Sequence, residues 1–145
     1  MKKLMVIALL LLGLGLVACS PGGQTTAIVS DVWGRPSPAS ATNAAFYMNI
    51  RNNGNLDDTL TGADADICDS TELHETEIDD AGVMSMEQVR NVDIPSGESV
   101  SLEPGGLHVM CIGLASQLEA GQMVPIELSF RRSGTLHVQA EIKEE

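Results

Sequence analysis

The sequence predicts an all-β sandwich of eight or nine short strands. After residue 26, apolar residues recur mostly at every second position, which is the period of a half-buried strand. Turn sequences rich in Gly, Pro, Asn and Asp separate these runs, and no stretch offers a capped amphipathic helix. The 145 residues set a prior of one domain, and one Trp, one Tyr and two Phe among 43% hydrophobic residues predict a mostly aliphatic core.

Nine alternating segments account for this expectation. Asp79-Asp80-Ala81-Gly82 lies between the fourth and fifth of them and is typical of a hairpin turn. Other segments end at Pro- or Gly-containing sequences such as 35–38, 52–55, 104–106 and 133–134. The expected strands cover residues 27–33, 44–50, 60–68, 73–78, 83–89, 100–102, 107–114, 123–130 and 135–142.

The charge balance narrows the range of partners. Twenty acidic residues against eight basic ones give a net charge of −12. Binding to nucleic acid requires a footprint of Lys and Arg, so nucleic acid is excluded as a partner. The acidity is compatible with cation binding, although acidity by itself mainly confers solubility.

The N-terminus has the features of an export signal. Lys2 and Lys3 precede an apolar run over residues 4–17, which is too short to span a bilayer core of ~30 Å comfortably. The sequence Leu16-Val17-Ala18-Cys19 resembles the lipobox of bacterial lipoproteins. That resemblance implies cleavage before Cys19 and a diacylglycerol thioether on Cys19, with acyl chains such as palmitate. The lipid chains then anchor the protein to a membrane without a transmembrane helix.

The predicted domain organisation follows from this signal. Residues 1–18 are expected to be the signal peptide, 19–26 a lipidated tether and 27–145 the folded domain. The expected location is the periplasmic side of the cell envelope, which is an oxidising compartment. Ser20 follows the cysteine where Asp would favour retention in the inner membrane, so resemblance to Gram-negative sorting favours the outer membrane.

Histidine and methionine are the residues with metal-binding chemistry. Alternation along a strand places His108 and Met110 on one face, and Met84 and Met86 on one face of another strand. Leu107, Val109 and Cys111 then point to the other face, towards the core. Thioether sulfur is a soft donor, so a His/Met set suits Cu(I) and fits Mg²⁺, Ca²⁺, Mn²⁺ or Zn²⁺ poorly.

The spacing of these residues is more specific than their composition. His74 and Glu75 are followed by ten residues and Met86, then by twenty-one residues and His108-Val109-Met110. This pattern resembles the ligand signature of the PCuAC family of periplasmic copper chaperones. The resemblance covers essentially residues 27–142, including the segments 33–35, 52–54, 73–75, 82–86, 94–97, 104–110 and 113–114.

The resemblance implies a cupredoxin-like Greek-key sandwich that binds Cu(I) through His74, Met86, His108 and Met110. It also implies transfer of copper to an acceptor such as a cytochrome c oxidase subunit or assembly factor. Glu75 stands where the family often has Met, so no ligand role is carried over to it, and Met84 is an alternative donor. An outer-membrane location is less suited to direct delivery to an inner-membrane oxidase and instead favours copper scavenging or resistance.

Several alternatives remain open from the sequence. His74 and Met86 can face each other only if the hairpin loop is odd in length or contains a bulge, which a left-handed Gly82 would supply. Cys68 and Cys111 form a disulfide or are two buried thiols, and a copper-ligand role for Cys111 is disfavoured. His137 is expected to face solvent on the last strand.

Other classes of function have less support. A blue-copper electron carrier needs a Cys ligand followed closely by His and Met, and this pattern does not follow Cys111. No Ser-His-Asp, Cys-His or paired-carboxylate arrangement has a supporting motif, so we expect no enzymatic activity. A metal-free β-sandwich that acts as a protein interaction module is the remaining alternative.

Overall fold

Ten β-strands make up a computed structural model that describes residues 26–144. This range contains no helix, and therefore no helix long and apolar enough to cross a membrane. The predicted signal peptide, Cys19 and the tether up to residue 25 lie outside the described residues. The strands are β1 (Ala27–Gly34), β2 (Asn43–Asn52), β3 (Asp58–Asp64), β4 (Cys68–Ile78), β5 (Met84–Val89), β6 (Val92–Ile94), β7 (Ser99–Leu102), β8 (Leu107–Leu114), β9 (Met123–Phe130) and β10 (Gly134–Ile142).

Hydrogen bonding joins the strands in the order β5-β4-β8-β2-β1-β10-β9-β3-β6, with β7 paired to β2. Strands β1 and β10 are parallel, and the other described pairs are antiparallel. Strand β3, near one end of this order, packs against β4, near the other end. The sheet therefore folds back over its own inner surface, and the predicted all-β class is confirmed.

Two details of the predicted strands are wrong. The segment 60–68 is not one strand, because β3 ends at Asp64 and Cys68 already begins β4. A turn separates them, in which the Cys68 amide donates to the Ala65 carbonyl at 2.9 Å. Strand β6 was not predicted, because its three residues are too few for alternation to be recognised.

The core between the two halves of the sheet is mostly aliphatic, as predicted. Phe46 is fully buried and lies so close to Gly34 that a Cβ atom there would stand 2.9 Å from the Phe46 ring. Glycine at this position therefore permits the close approach of β1 to β2. The other fully buried large apolar side chains are Met48, Ile50, Leu60, Ile94, Val109, Leu118, Val124, Ile126, Leu128 and Ile142.

The buried carboxylate of Asp58 fastens the turn between β9 and β10. It accepts hydrogen bonds from the amides of Thr59, Arg132 and Ser133 and from the Ser133 hydroxyl, at 2.5–2.9 Å. Burial alone would raise the pKa of Asp58, but these four donors outweigh it and hold the pKa below its ordinary value.

A disulfide joins Cys68 of β4 to Cys111 of β8, with their Cα atoms 5.5 Å apart. This pairing resolves the alternatives left open by the sequence, since neither cysteine is a free thiol. Cys111 is fully buried on the core side of β8, as alternation predicted. The bond therefore ties together the two strands that carry His74 and His108.

Candidate metal centre

The two predicted histidine ligands are direct neighbours across a strand pair. His74 of β4 lies opposite His108 of β8 in the antiparallel register, and their ring centroids are 5.9 Å apart. Two pairs further along, and therefore on the same face, Glu72 lies opposite Met110. Residues that are separated by 34 positions in the chain thus come together because β4 and β8 pair along most of their length.

The β4–β5 hairpin brings the predicted methionine to the same surface. Its loop has five residues, 79–83, with Gly82 in the left-handed region at φ 79°. Met86 lies opposite Thr76, and His74 lies opposite Gln88. The loop is odd in length, which is the condition stated above, but His74 and Met86 are not directly paired. The two side chains share a face as diagonal neighbours, a separation that long side chains can bridge.

The side chains of Met84, Met86, His74, His108 and Met110 form one surface, which we call the His/Met face. The intervening residues Leu73 and Val109 are buried in the core, and alternation turns the others away from it. Met84, Met86, His108 and Met110 line a surface pocket of about 400 Å³. Other residues that line it are Arg35, Asn43, Ala44, Ala45, Tyr47, Thr76, Pro104 and Gly105.

Exposure changes steeply across the His/Met face. His108 is only 4% exposed, and the His74 side chain is 16% exposed. Met86 and Met84 are 49% and 64% exposed, at the rim formed by β5. An ion that approaches from solvent therefore meets flexible thioethers first and the buried imidazoles last.

The hydrogen bonds of the two imidazoles leave one nitrogen of each ring for another partner. His108 Nδ1 donates to the Gly106 carbonyl at 3.0 Å, so Nε2 of the neutral ring has a free lone pair. His74 Nε2 contacts Glu72 Oε2 at 2.7 Å. Within residues 26–144, His74 Nδ1 is the one buried side-chain nitrogen or oxygen that lacks a hydrogen-bond partner. A buried polar atom without a partner is costly, and a bound ion would remove that cost.

A short series of rings connects the site to the neighbouring strands. The Tyr47 ring lies 6.3 Å from the His108 ring, and Trp33 packs against Tyr47 at 4.8 Å between centroids. Tyr47 is 8% exposed and Trp33 is partly buried. Tyr47 lines the same pocket as His108, so its ring helps to bury His108 although that side chain points away from the core.

Other residues considered in the sequence lie elsewhere. Glu75 pairs with Leu107 and Glu87, on the face of β4 opposite to His74. His137 is exposed on β10, as predicted, and contacts Glu127 at 3.7 Å. Residues 26–144 contain no group of three or more His, Cys, Asp or Glu able to hold a metal ion.

Three residues at the site are absent from the sequence-based prediction. Glu72 contacts His74, Thr76 lies opposite Met86, and Tyr47 lies beside His108. A local signal existed for the first two, because Glu72, His74 and Thr76 follow the two-residue period of one strand face. Tyr47 is brought in by the β2–β8 pairing, for which the sequence has no local signal.

The fold and this face define an all-β domain with imidazoles and thioethers gathered at one end. Residues 28–142 match the family described as "Putative lipoprotein LpqE-like", and the chain belongs to this family. "Putative lipoprotein Lxx21020" of Leifsonia xyli subsp. xyli is 31% identical over 141 residues, which cover 90% of this chain and 84% of that protein.

Solved structures give the same picture of the fold. The apo PCuAC domain from PmoF1 superposes with a TM-score of 0.71 at 26% identity, covering 82% of this chain and 94% of that domain. The Cu(I) form of DR1885 from Deinococcus radiodurans gives 0.62 at 26% identity, covering 88% and 83%. The predicted cupredoxin-like fold and the similarity to PCuAC domains are thereby confirmed.

Proposed function

We propose that this protein is a lipid-anchored copper chaperone that binds Cu(I) on its His/Met face and passes the ion to another protein. The observation that carries the proposal is that Met86, His108 and Met110 line one pocket, while the His74 ring lies 5.9 Å from the His108 ring across the β4–β8 pair. The Cu(I) form of a structural relative, DR1885, supports the same metal.

The chemistry of the proposed ligands favours Cu(I) over other ions. All four are neutral donors, and two are soft thioethers, which Mg²⁺, Ca²⁺ and Zn²⁺ do not favour. Because both histidines already have a hydrogen bond on one nitrogen, the other nitrogen is oriented before the ion arrives. A partly preformed site limits the ordering cost of binding.

Release is as much a part of the proposal as binding. Met86 is half exposed at the rim of the pocket. A thiolate of the acceptor protein can therefore replace Met86 as a ligand before the buried imidazoles dissociate from the ion. Thiolates bind Cu(I) more strongly than thioethers do, which gives the transfer its direction. A copper site of cytochrome c oxidase or one of its assembly factors is the acceptor that we propose.

Anchoring rests on Cys19 and on the lipoprotein name of the relative from Leifsonia xyli. We propose residues 1–18 as the signal peptide and 19–26 as the lipidated tether, with the domain on the periplasmic side of the envelope. If Ser20 directs the chain to the outer membrane, scavenging of copper or resistance to it replaces delivery as the role of the same site.

A competition titration with a Cu(I) chelator tests the proposal, with a reductant that keeps copper as Cu(I) but leaves the Cys68–Cys111 disulfide intact. One Cu(I) per chain is expected for the wild type, and strong loss of binding is expected for His108→Ala. His137→Ala is the matched control, since it removes an exposed imidazole far from the site in β10. Absence of Cu(I) uptake by the wild type, or equal binding by His108→Ala, would refute the proposal. A strongly coloured Cu(II) form would instead indicate an electron carrier.

A further inference from the structure

The carboxylate of Glu72 contacts one ring nitrogen of His74 and can therefore determine which of the two ring nitrogens carries the proton. Oε2 of Glu72 lies 2.7 Å from Nε2 of His74, and the Glu72 side chain is 31% exposed, against 16% for His74. An ionised carboxylate has only acceptor sites, so the proton in this contact belongs to Nε2 of the imidazole. In the neutral ring, Nδ1 then carries the lone pair.

The surroundings of Nδ1 favour the same tautomer. Nδ1 of His74 is buried and has no hydrogen-bond partner in the described part of the chain. A proton on this atom would be a buried donor without an acceptor, which native structures avoid. The surroundings of both ring nitrogens therefore favour the same tautomer of His74, in which the proton is on Nε2 and the lone pair is on Nδ1.

Strand geometry fixes the position of Glu72 relative to His74. The two residues are two positions apart on β4, so their side chains project from the same face. Strand β8 pairs with β4 on one side at both positions, and β5 pairs with β4 at His74 on the other. Little backbone freedom is left to change the contact, and Glu72 also lies opposite Met110.

A backbone carbonyl, not a side chain, orients the ring of His108, and it favours the opposite tautomer to that of His74. Its Nδ1 donates to the backbone carbonyl of Gly106, which leaves Nε2 unprotonated in the neutral ring. The two histidines face each other across the β4–β8 pair, one held by a side chain and the other by the backbone.

We infer that Glu72 is a positioning residue that holds His74 with its proton on Nε2, so that His74 binds Cu(I) through Nδ1 whereas His108 binds it through Nε2. This inference rests on the proposed function for the identity of the ion. The state of the His74 ring in the metal-free protein does not depend on that function.

Long-range ¹H–¹⁵N correlation spectra of the metal-free protein test the ring directly. In the wild type, Nδ1 of His74 is expected to have the shift of an unprotonated nitrogen and Nε2 that of a protonated one. Glu72→Ala should give a mixture of the two tautomers, and Glu72→Gln, whose amide oxygen still accepts a hydrogen bond, should restore the wild-type pattern. A proton on Nδ1 in the wild type would overturn the inference.

Cu(I) competition titrations on the same variants test the consequence for binding. Loss of a partner that orients a metal ligand costs about 10–100-fold in affinity, which is the weakening expected for Glu72→Ala. Glu72→Gln should recover most of the affinity. Glu77→Ala is the matched control, because Glu77 is exposed on the opposite face of β4 and its removal changes the charge equally.

The outcomes separate the inference from the proposed function. If the wild type takes up no Cu(I), the proposed function fails while the tautomer measurement still stands. If Cu(I) binds but Glu72→Ala and Glu77→Ala bind it equally, Glu72 has no positioning role. Thermal unfolding of each variant identifies a loss of affinity that comes from loss of the fold.

Discussion

His74 and His108 lie directly opposite each other on adjacent antiparallel strands, with their ring centroids 5.9 Å apart. Both residues are held by two kinds of constraint, the strand pairing and a hydrogen bond to one ring nitrogen. Met86 reaches the same face from β5, an edge strand, and is half exposed. The candidate site thus combines two imidazoles on paired strands with thioethers exposed on an edge strand, an arrangement that fits the proposed release of the ion.

Met86 and Met84 should differ in their effect on Cu(I) binding. Met86 is the diagonal neighbour of His74, whereas Met84 lies opposite Ile78, two pairs further from the histidines. Replacement by Leu approximately conserves volume and removes the sulfur donor. We expect Met86→Leu to weaken Cu(I) binding by at least the roughly 10–100-fold that loss of an outer-shell partner costs. Met84→Leu should have little effect in the same chelator competition.

Both methionines are exposed on β5, so Met84→Leu is the matched control for the effects of Met86→Leu on surface hydrophobicity and folding. Equal affinities of the two variants and the wild type would remove Met86 from the ligand set. A larger loss for Met84→Leu would assign the role to Met84 and would require the β4–β5 hairpin to shift when the ion binds.

Trp33 should report copper binding through its fluorescence. It is the only tryptophan in the sequence, and its ring packs 4.8 Å from Tyr47, which in turn lies 6.3 Å from His108. An ion bound to His108 changes the electrostatic surroundings of this ring series. We expect the emission of Trp33 to change with added Cu(I) and to saturate at one equivalent.

The same titration on His108→Ala should leave the emission unchanged at one equivalent, while His137→Ala should behave as the wild type. A wild-type signal that fails to respond while chelator competition shows tight binding would place the ion away from His108.

The fold was predictable where the sequence of a single strand shows the polarity pattern or the apolar run that is typical of a strand. Residues 123–130 alternate cleanly and residues 107–114 form a nearly continuous apolar run, and β9 and β8 have these same bounds. The break between β3 and β4 was not predictable, because Ala65 and Ile67 continue the apolar pattern through a turn. That turn exists because the sheet folds over itself there, which is a property of the whole molecule.

The site was predictable only to the level of residue identity. The resemblance to PCuAC domains implied His74, Met86, His108 and Met110 as ligands, and that set stays a prediction. The register that places Met86 near His74 depends on the five-residue hairpin loop. The disulfide is similar, since Cys68 and Cys111 come within 5.5 Å only through the β4–β8 pairing. Glu72 was overlooked because a carboxylate beside a histidine stands out only once the ring nitrogens have been accounted for.

Removal of the disulfide should cost much of the stability of the domain. The bond closes a separation of 43 residues, for which the chain-entropy model gives about 4 kcal/mol. We expect the Cys68→Ala/Cys111→Ala variant to unfold at a much lower urea concentration than the wild type. Trp33 fluorescence provides the readout of unfolding.

Wild-type protein unfolded in the presence of a reductant should match the double variant, since both lack the cross-link. Because the bond joins the strands that carry His74 and His108, we also expect weaker Cu(I) binding by the double variant. An unchanged urea midpoint would show that the β4–β8 pairing is fixed by strand contacts alone.

Acid stability should depend on Asp58. Its buried carboxylate accepts four hydrogen bonds, and these hold the pKa below the ordinary value of 3.8 although burial acts in the other direction. The folded state thus binds a proton on this group less readily than the unfolded state does. The resulting contribution to the free energy of unfolding is fully present above the unfolded pKa and is lost as the pH falls through the folded pKa.

Asp58→Asn removes the charged acceptor and should lower the free energy of unfolding at pH 7 by about 1–3 kcal/mol. The variant should also lose part of the decline in stability that the wild type shows below about pH 4, because one depressed carboxyl no longer titrates. Urea unfolding at pH 7 and in the acid range measures both effects. Asp66→Asn is the control, as Asp66 is exposed in the turn between β3 and β4. If the two variants lose the same stability at pH 7 and follow the same acid profile, the buried hydrogen bonds of Asp58 do not stabilise the turn between β9 and β10.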